Sequence, residues 1–418
     1  MASTDSISIF TEGTFEEQIQ ELVNYLARGL SEEARVAFIR PFQDVLITRE
    51  GDRPFAEDAD RRRKVIMKVL GEVKGLGEGN EREVEGFFNL LDAHILALSS
   101  ESSQAKEPIT TLIRVLTSTP PSENASIKYR VLSNLFNALP RSSPLRVEVY
   151  TALLNLANEN QELEVLQISQ EDVDRWLSEW EISQDEKSAF LKKIADAYNK
   201  SEQPGIAFTY LLSHLRTLAS SAAAEPAALD VIAAALRLPA YFDFNDLLKI
   251  EGVQAVKENP LFALLKICLS GGLADLQSWE AANGETLTKF EVDRDIVERK
   301  IRYLALASQA TKYIGRDMPY SEIASVLQVD NKEVEAWVID TIRAGLLSGK
   351  LHQPAQTFHV IRSTSRSFGR EEWKTLEKRL LAWKTGLLGV LEVVEGARQS
   401  IAESGLALEA DKTVQATA

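Results

Sequence analysis

Residues 318–361 constrain the fold of this chain more than any other stretch, because they combine two helix patterns, a glycine stop and two strand patterns. Ser321 is placed to cap the first helix, and residues 330–331 with Glu333 have the pattern of a capping box for the second. Gly345 supplies the left-handed residue that commonly ends a helix. The order helix, turn, helix and hairpin predicts a winged helix.

The apolar side chains of the second helix are predicted to share one face. They follow the spacing of an amphipathic helix, at Val334, Trp337, Val338, Thr341 and Ile342. Trp337 and Val338 are adjacent, so we expect one to face the core and the other to border solvent. Residues 351–353 and 357–361 then have the length and the bounding turn residues of a β-hairpin.

The charge of the chain argues against nucleic acid as its main partner. The 418 residues include 47 Lys and Arg against 62 Asp and Glu, which gives a net charge of −15. Nucleic-acid-binding domains usually present a clustered basic face, whereas an acidic surface repels phosphate. The second helix of the predicted winged helix sets Lys332 and Arg343 against Glu333, Glu335 and Asp340. This composition makes it a poor reader of a DNA groove.

A single cysteine, Cys268, lies in apolar helical sequence and excludes an internal disulfide or a thiolate metal cluster. We interpret it as a small buried hydrophobe in a reducing compartment. The N-terminus lacks the basic and apolar regions of a secretory signal, and no apolar run approaches the ~18 residues that span a bilayer. The sequence therefore predicts a soluble, intracellular protein.

Most of the chain has the pattern of amphipathic helices with short connections. This pattern predicts an irregular α-solenoid of paired helices. Typical helix segments are residues 127–139, 145–158 and 190–198. The predicted fold class is all-α with a small β-hairpin: a helical-repeat solenoid, then the winged helix, then a long C-terminal helix. Helix starts are predicted at Thr14 with Glu17, Ser31, Pro144, Ser169 with Asp172, Ser183 with Glu186, and Pro204.

Less regular segments are predicted to be loops between these helices. They are residues 49–60, 71–80, 99–108, 118–124 and 220–226. The predicted domains are helical repeats at 1–203, a second helical region at 204–315, the winged helix at 316–368, a heptad helix at 369–401 and a disordered tail at 402–418.

No catalytic or ligand-binding motif is evident, so we expect no enzymatic activity, no metal and no cofactor. The glycine run at 71–79 lacks the Gly-Lys-Ser/Thr ending of a phosphate-binding loop and reads as an inter-helix loop. The histidines His94, His214, His352 and His359 have no cysteine or evident carboxylate partner in the sequence, which favours structural roles.

The C-terminal region carries a heptad pattern. Apolar residues alternate in steps of three and four, at Trp373, Leu376, Leu380, Trp383, Leu387, Val390, Val394, Ala397 and Ile401. This seam predicts a helix over residues 370–401 that packs either on this chain or on similar helices of partner subunits. Tryptophan at two seam positions is typical of a buried interface anchor and favours partner helices.

Residues 345–360 (GLLSGKLHQPAQTFHV) resemble the signature of the PCI domain family, with His352 in place of the usual acidic residue. Residues 363–387, with their Thr/Ser-Arg-x-Phe-Gly and Leu-x-x-Trp-Lys elements, resemble the C-terminal block of the subunit m family of eukaryotic translation initiation factor 3. Residues 264–276 and 336–347 are similar to the same family. The departure at His352 leaves the fold assignment intact.

The resemblance covers about residues 204–388 and makes 204–368 a PCI domain. It implies a non-enzymatic scaffold that associates with other PCI subunits of initiation factor 3 and, through the complex, with the small ribosomal subunit. The complex promotes preinitiation complex formation and mRNA recruitment. Subunits of the signalosome and the proteasome lid share the fold and remain an alternative.

Two partner-binding surfaces are predicted. The hairpin, with Leu351, Phe358 and Val360, is expected to pair with the edge of a partner's winged helix, and the heptad seam from Trp373 to Val394 is expected to join a helical bundle. A winged-helix nucleic-acid-binding protein is a further alternative. Its basic residues would be Arg362, Arg366 and Arg370, which we interpret instead as solvated charges.

Overall fold

The computed structural model describes residues 13–47, 58–98, 102–118, 120, 124–218, 224–366 and 369–415. In this part of the chain α-helices dominate, with one small antiparallel sheet near the C-terminus, which confirms the predicted fold class. None of the described helices has the length and hydropathy needed to cross a membrane. The chain divides into two compact units, Met1–Leu238 with Leu248–Leu261, and Pro239–Leu247 with Phe262–Ala418.

The helices of the first part of the chain are short and consecutive. They are α1 (Phe15–Leu26), α2 (Glu32–Leu46), α3 (Ala59–Glu72), α4 (Glu81–Leu98), α5 (Ser102–Thr117), α6 (Ala125–Ala138), α7 (Leu145–Glu159), α8 (Gln170–Glu179), α9 (Gln184–Lys200), α10 (Pro204–Thr217), α11 (Ala224–Arg237), α12 (Phe244–Leu248) and α13 (Glu251–Ala255). In the first unit α6 packs against α7, α9 against α10, and α10 against α11. Their apolar faces are buried between sequence neighbours, as a helical repeat requires.

The predicted helix starts are confirmed by the structure. Thr14 and Glu17 form a reciprocal capping box at α1, and Ser183 and Glu186 form another at α9. Ser31 occupies the N-cap position of α2 without a side-chain hydrogen bond to the helix. The other predicted starts are also found, with Ser169 capping α8, Pro144 preceding α7 and Pro204 beginning α10.

Several segments predicted as loops are helical in the structure. Residues 102–108 form the start of α5, because Gln, Ala, Lys and Glu are good helix formers and Ala105 is buried. Residues 224–226 likewise begin α11. The glycine run does connect α3 to α4, as predicted. The predictions for residues 49–57, 99–101, 119, 121–123 and 220–223 lie outside the described residues.

The second part of the chain contains the winged helix and the terminal helix. Its elements are α14 (Pro260–Ser270), α15 (Leu273–Lys289), α16 (Arg294–Ala310), β1 (Asp317–Pro319), α17 (Tyr320–Leu327), α18 (Val334–Arg343), β2 (Leu347–His352), β3 (Thr357–Ser363) and α19 (Arg370–Gln415). The sheet order is β1-β3-β2 with both pairs antiparallel, so β3 is the central strand. The predicted hairpin is present but starts at Leu347, and the short strand β1 was not predicted.

The two predicted caps of the winged helix are wrong. Ser321 lies inside α17, whose first amide, that of Tyr320, instead donates to the carbonyl of Gln356 in the hairpin turn at 2.9 Å. Glu333 is itself the N-cap residue of α18 and makes no side-chain capping bond. A contact distant in sequence replaces the expected local cap at α17. The left-handed Gly345, with φ +76°, does end α18 as predicted.

The terminal helix is longer than predicted. α19 continues to Gln415, so the expected disordered tail from residue 402 is wrong up to that residue. The sequence there, AESGLALEADKTV, is rich in Ala, Leu and Glu, which favour helix even where the composition is small and polar. Residues 416–418 lie outside the described residues.

Gly349 allows the two strands of the hairpin to approach closely. The register shifts between Ser348 and Gly349, which pair with Arg362 and Val360, so Ile361 is the extra residue of a bulge in β3. A Cβ atom at Gly349 would collide with the carbonyl oxygen of His359 and lie 2.5 Å from the ring of Phe358. Because the first of these atoms belongs to the backbone of the central strand, the collision cannot be relieved by a rotamer change.

Gly349→Ala is therefore expected to destabilise the winged helix by about 1–3 kcal/mol, the usual cost of overpacking a filled site. Thermal unfolding followed by circular dichroism of the full chain would measure the loss. Gly284→Ala is the matched control, since nothing lies within 4 Å of a Cβ built at this helical glycine. A Gly349→Ala variant that melts with the wild type would contradict the close approach.

Asp92 is an uncompensated polar group in the core of the first unit. The residue is 2% exposed, and neither carboxylate oxygen has a hydrogen-bond partner within the described structure. Desolvation by burial raises the pKa of Asp92 well above its ordinary value of 3.8. The folded state therefore binds a proton that the unfolded chain releases near that value.

It follows that the free energy of unfolding should fall as pH rises from about 4 through the raised pKa of Asp92, because the folded protein must keep the proton or bury a charge. Asp92→Asn removes this titration. Urea denaturation at a series of pH values should show wild-type stability declining relative to Asp92→Asn. Asp44→Asn, the same substitution at an exposed position of α2, is the matched control. Parallel curves for wild type and Asp92→Asn would refute the assignment.

Candidate protein-interaction surfaces

The terminal helix α19 exposes its apolar side chains. All side chains described in α19 up to residue 400 are exposed, including Leu380 at 52%, Trp383 at 67% and Val390 at 59%. Soluble proteins rarely leave a contiguous apolar patch of this extent uncovered, and those that do generally use it for binding. The predicted seam from Trp373 to Val394 therefore lies on an accessible helix face. Ile401 is helical, but its side chain lies outside the described residues.

A second apolar stripe adjoins the seam. Leu381, Leu388 and Leu391 are also exposed, by 56%, 51% and 60%. At ~100° per residue they lie beside the heptad positions, so apolar side chains cover about half of the helix circumference. A helix of this kind fits into a bundle with more than one neighbour better than into a two-stranded coil. The heptad analysis missed these leucines because they fall outside the a and d positions.

The hairpin does not present the side chains that were predicted to meet a partner. Phe358 and Val360 are fully buried in the core beneath the sheet, so the prediction of partner contacts is wrong for these two side chains. Leu351 is half-buried. The edge strand β2, rather than the central β3, offers the backbone groups to which a partner strand could add.

The outer face of α18 combines a fixed tryptophan with an exposed aliphatic residue. Trp337 is half-buried, with its ring 5.7 Å from that of Tyr303 and the guanidinium of Arg302 4.9 Å above it. Val338 is fully buried, and Ile339 is 41% exposed. The prediction that Trp337 and Val338 divide between solvent edge and core is confirmed.

The histidines and the cysteine sit in structural surroundings. His214 Nδ1 lies 2.9 Å from both the hydroxyl and the carbonyl oxygen of Ser188. His359 does have a carboxylate partner, contrary to the sequence-based expectation, since its Nδ1 lies 2.6 Å from Asp317 across the β1–β3 pair. Cys268 is fully buried as predicted, and burial raises the pKa of its thiol to about 12. Among the described residues no three His, Cys, Asp or Glu side chains are grouped as metal ligands would be.

Comparison with known proteins agrees with this C-terminal architecture. Residues 285–362 match the PCI domain, and residues 366–394 match the family described as "eIF3 subunit M, C-terminal helix". The chain is 30% identical over 406 residues to eukaryotic translation initiation factor 3 subunit M of Phaeosphaeria nodorum, covering 94% of this chain and 89% of the relative. It is 31% identical over 420 residues to the protein of the same name from Aspergillus terreus, with coverage of 96% and 90%.

The chain belongs to the subunit M family of eukaryotic translation initiation factor 3. The family resemblance proposed from residues 345–360 and 363–387 is thereby confirmed, and it extends over nearly the whole chain rather than over the C-terminal half alone.

In this member of the subunit M family, the segment leading into α19 is fixed to the PCI domain. Arg366 donates from one terminal nitrogen to the carbonyl of Gly271 at 2.7 Å and from the other to that of Ile301 at 3.2 Å. Upstream, the hydroxyl of Ser363 donates to the carbonyl of Ala307 at 2.6 Å. Arg379, in the third turn of α19, donates to the carbonyl of Thr311.

The prediction that Arg366 is a solvated charge is therefore wrong. Burial lowers the pKa of Arg366 to about 10, which still leaves the guanidinium charged at neutral pH. Its hydrogen bonds join it to the end of α14 and to the middle of α16. Arg366 is also the first residue of the C-terminal-helix family match. Arg366 is a positioning residue for the terminal helix.

Arg366→Gln should destabilise the second unit, because it removes the donors of two partly buried hydrogen bonds, at a cost of about 1–3 kcal/mol. Thermal unfolding of the full chain would report the loss. Arg362→Gln, at an exposed position of the preceding strand, is the matched control and should be neutral. Equal melting temperatures for the two variants would show that the bonds of Arg366 do not contribute to stability.

Proposed function

We propose that the protein is a non-enzymatic scaffold subunit of eukaryotic translation initiation factor 3 in the cytoplasm. It would associate with other PCI and related subunits and, through the complex, with the small ribosomal subunit. In this role it supports assembly of the factor, preinitiation complex formation and mRNA recruitment. The names of its relatives and the PCI domain match support this proposal.

The exposed apolar face of α19 carries the proposal. A single helix of this kind is marginal in water by itself, and burial of its leucines and tryptophans against other helices would stabilise it. Tryptophans such as Trp383 commonly act as anchors in protein interfaces. Since Leu381 and Leu388 widen the apolar face beyond the seam, the expected partners are at least two helices from other subunits.

The edge of the winged-helix sheet supplies a second proposed surface. β2 (Leu347–His352) is an edge strand, and strand addition through main-chain hydrogen bonds is a general mode of protein association. Phe358→Pro would not test this surface, because Phe358 is buried in the central strand and its replacement would disrupt the domain itself. Substitutions on β2 are the appropriate probes.

A nucleic-acid-binding function has less support. On α18 the exposed guanidinium of Arg343 is close to the carboxylate of Asp340, at 3.6 Å. Arg366, one of three arginines that could have formed a basic patch, is bonded to internal carbonyls. A filter-binding assay with the purified chain at increasing salt concentration tests it. Binding of nucleic acid at physiological ionic strength, with an affinity that falls steeply with salt, would support this function.

Replacing Leu380, Trp383 and Leu387 together by Ala tests the bundle. Each anchor is worth about 2–4 kcal/mol when fully buried, so co-purification with other subunits of the factor should be lost. The free chain should melt as the wild type does, because all three side chains are exposed in it. Affinity purification of the tagged protein with quantitative mass spectrometry would measure assembly, and sucrose-gradient sedimentation would measure association with the small ribosomal subunit.

The matched control is Lys378→Ala with Thr385→Ala and Glu392→Ala, three positions on the opposite side of α19 at a spacing of seven residues. This variant should assemble normally. Unfolding of the isolated triple variant would mean that the seam packs on this chain. Normal assembly by a correctly folded triple variant would also overturn the bundle.

A further inference from the structure

A cavity of about 370 Å³ opens within the first unit, far along the chain from the winged helix. It lies between α6, α7, α8 and the 3₁₀ turn Leu163–Leu166. One part of its wall is aromatic and aliphatic, and another part carries three arginines and one carboxylate, that of Glu179. Neither the PCI domain match at residues 285–362 nor the C-terminal-helix match extends to these residues.

The apolar part of the wall is rigidly supported. Trp176 is half-buried and stacks on Trp180, with ring centroids 6.0 Å apart and planes at 12°. It also meets Phe136 edge to face at 5.4 Å and Tyr150 at 4.8 Å. The indole of Trp176 is therefore held in one orientation by its neighbours while part of it remains accessible from the cavity.

One residue that lines the cavity displays an apolar side chain to solvent. Val165, on the 3₁₀ turn, is 56% exposed. The turn is bounded by Gln161 and Gln167, whose φ angles of +58° and +46° are left-handed and uncommon for residues other than glycine. Such backbone conformations persist where the surrounding structure holds them, which keeps Val165 at the mouth of the cavity.

Three arginines and one glutamate, Glu179, line the cavity, so its lining is basic although the chain as a whole is acidic. Arg146 is 2% exposed, donates twice to the carbonyl of Leu139 and lies 4.7 Å from the ring centroid of Phe136, so its charge is fixed in the wall. Arg141 and Arg175 are exposed at the mouth. Arg175 is bonded to Asp172, and a guanidinium with five N–H groups retains further donors.

We propose that this cavity binds a short acidic peptide segment of a partner protein. One bulky apolar side chain of the peptide would insert against Trp176, beneath Val165. Flanking aspartate or glutamate side chains would accept hydrogen bonds from Arg141 and Arg175, and the buried charge of Arg146 would add to their attraction. The net charge of −15 disfavours a polynucleotide, because an acidic chain repels its many phosphates, whereas a short peptide brings only a few carboxylates.

The site is independent of assembly through α19 and is tested separately with the full-length chain. The probe is a fluorescein-labelled peptide, Glu-Asp-Phe-Asp-Glu, and binding is followed by fluorescence anisotropy. Saturable binding is expected, and the matched peptide with Gln and Asn in place of its acidic residues should bind at least about tenfold more weakly, because charge-assisted hydrogen bonds are lost. Equal binding of the two peptides would overturn the proposal.

The double variant Arg141→Gln with Arg175→Gln should weaken binding of the acidic peptide at least about tenfold, and its melting temperature checks that the exposed substitutions leave the fold intact. Arg114→Gln, at an exposed position of α5 in the same unit, is the control and should bind as the wild type does. Unchanged affinity in the double variant would overturn the site. Binding of a labelled decauridylate that depends on Arg141 and Arg175, without binding of the peptide, would assign the cavity to RNA and overturn the proposal equally.

Discussion

Burial of apolar helix faces is the constraint on which this structure depends. The helices of the first unit are short, and each buries its apolar face against neighbours in the sequence, as α9 does with α10. The helix α19 has an equally apolar face, but its described side chains remain exposed. The same physical requirement that forms the helical repeats within the chain is the basis of our proposal that α19 packs against helices of other molecules.

The buried polar groups show how the fold tolerates charge in its core. The ammonium of Lys300, 1% exposed, lies 5.2 Å over the ring of Phe244, and burial lowers the pKa of this lysine to about 8. Lys128 is also 1% exposed and donates to the carbonyl of Pro120 at 2.7 Å. Arg366 likewise donates to carbonyls. Aromatic rings and backbone oxygens are thus among the groups that stabilise charged side chains in the interior of this fold.

The positioning of α19 and the exposure of its apolar face are complementary features. Arg366 and Arg379 fix the beginning of the helix to the PCI domain through main-chain carbonyls. The acceptors are main-chain carbonyls just after α14 and within α16, so their positions do not depend on any side-chain rotamer. They therefore define the direction in which α19 leaves the domain. Because the direction of α19 is fixed before any partner binds, less conformational entropy would be lost on forming a bundle.

Local spacing in the sequence determined the helix starts at Thr14 and Ser183, the left-handed stop at Gly345 and the heptad seam, because each of these signals acts within one or two helical turns. Only the tertiary structure decided that Phe358 faces the core, that Arg366 is half-buried and bonded to main-chain carbonyls, and that His359 pairs with Asp317, 42 residues away. It also replaced the expected cap of α17 by the carbonyl of Gln356. The physical reason is the same in each case: a cap is bonded within one helical turn and a heptad repeats along one helix, whereas these groups find their partners on elements that folding alone brings together.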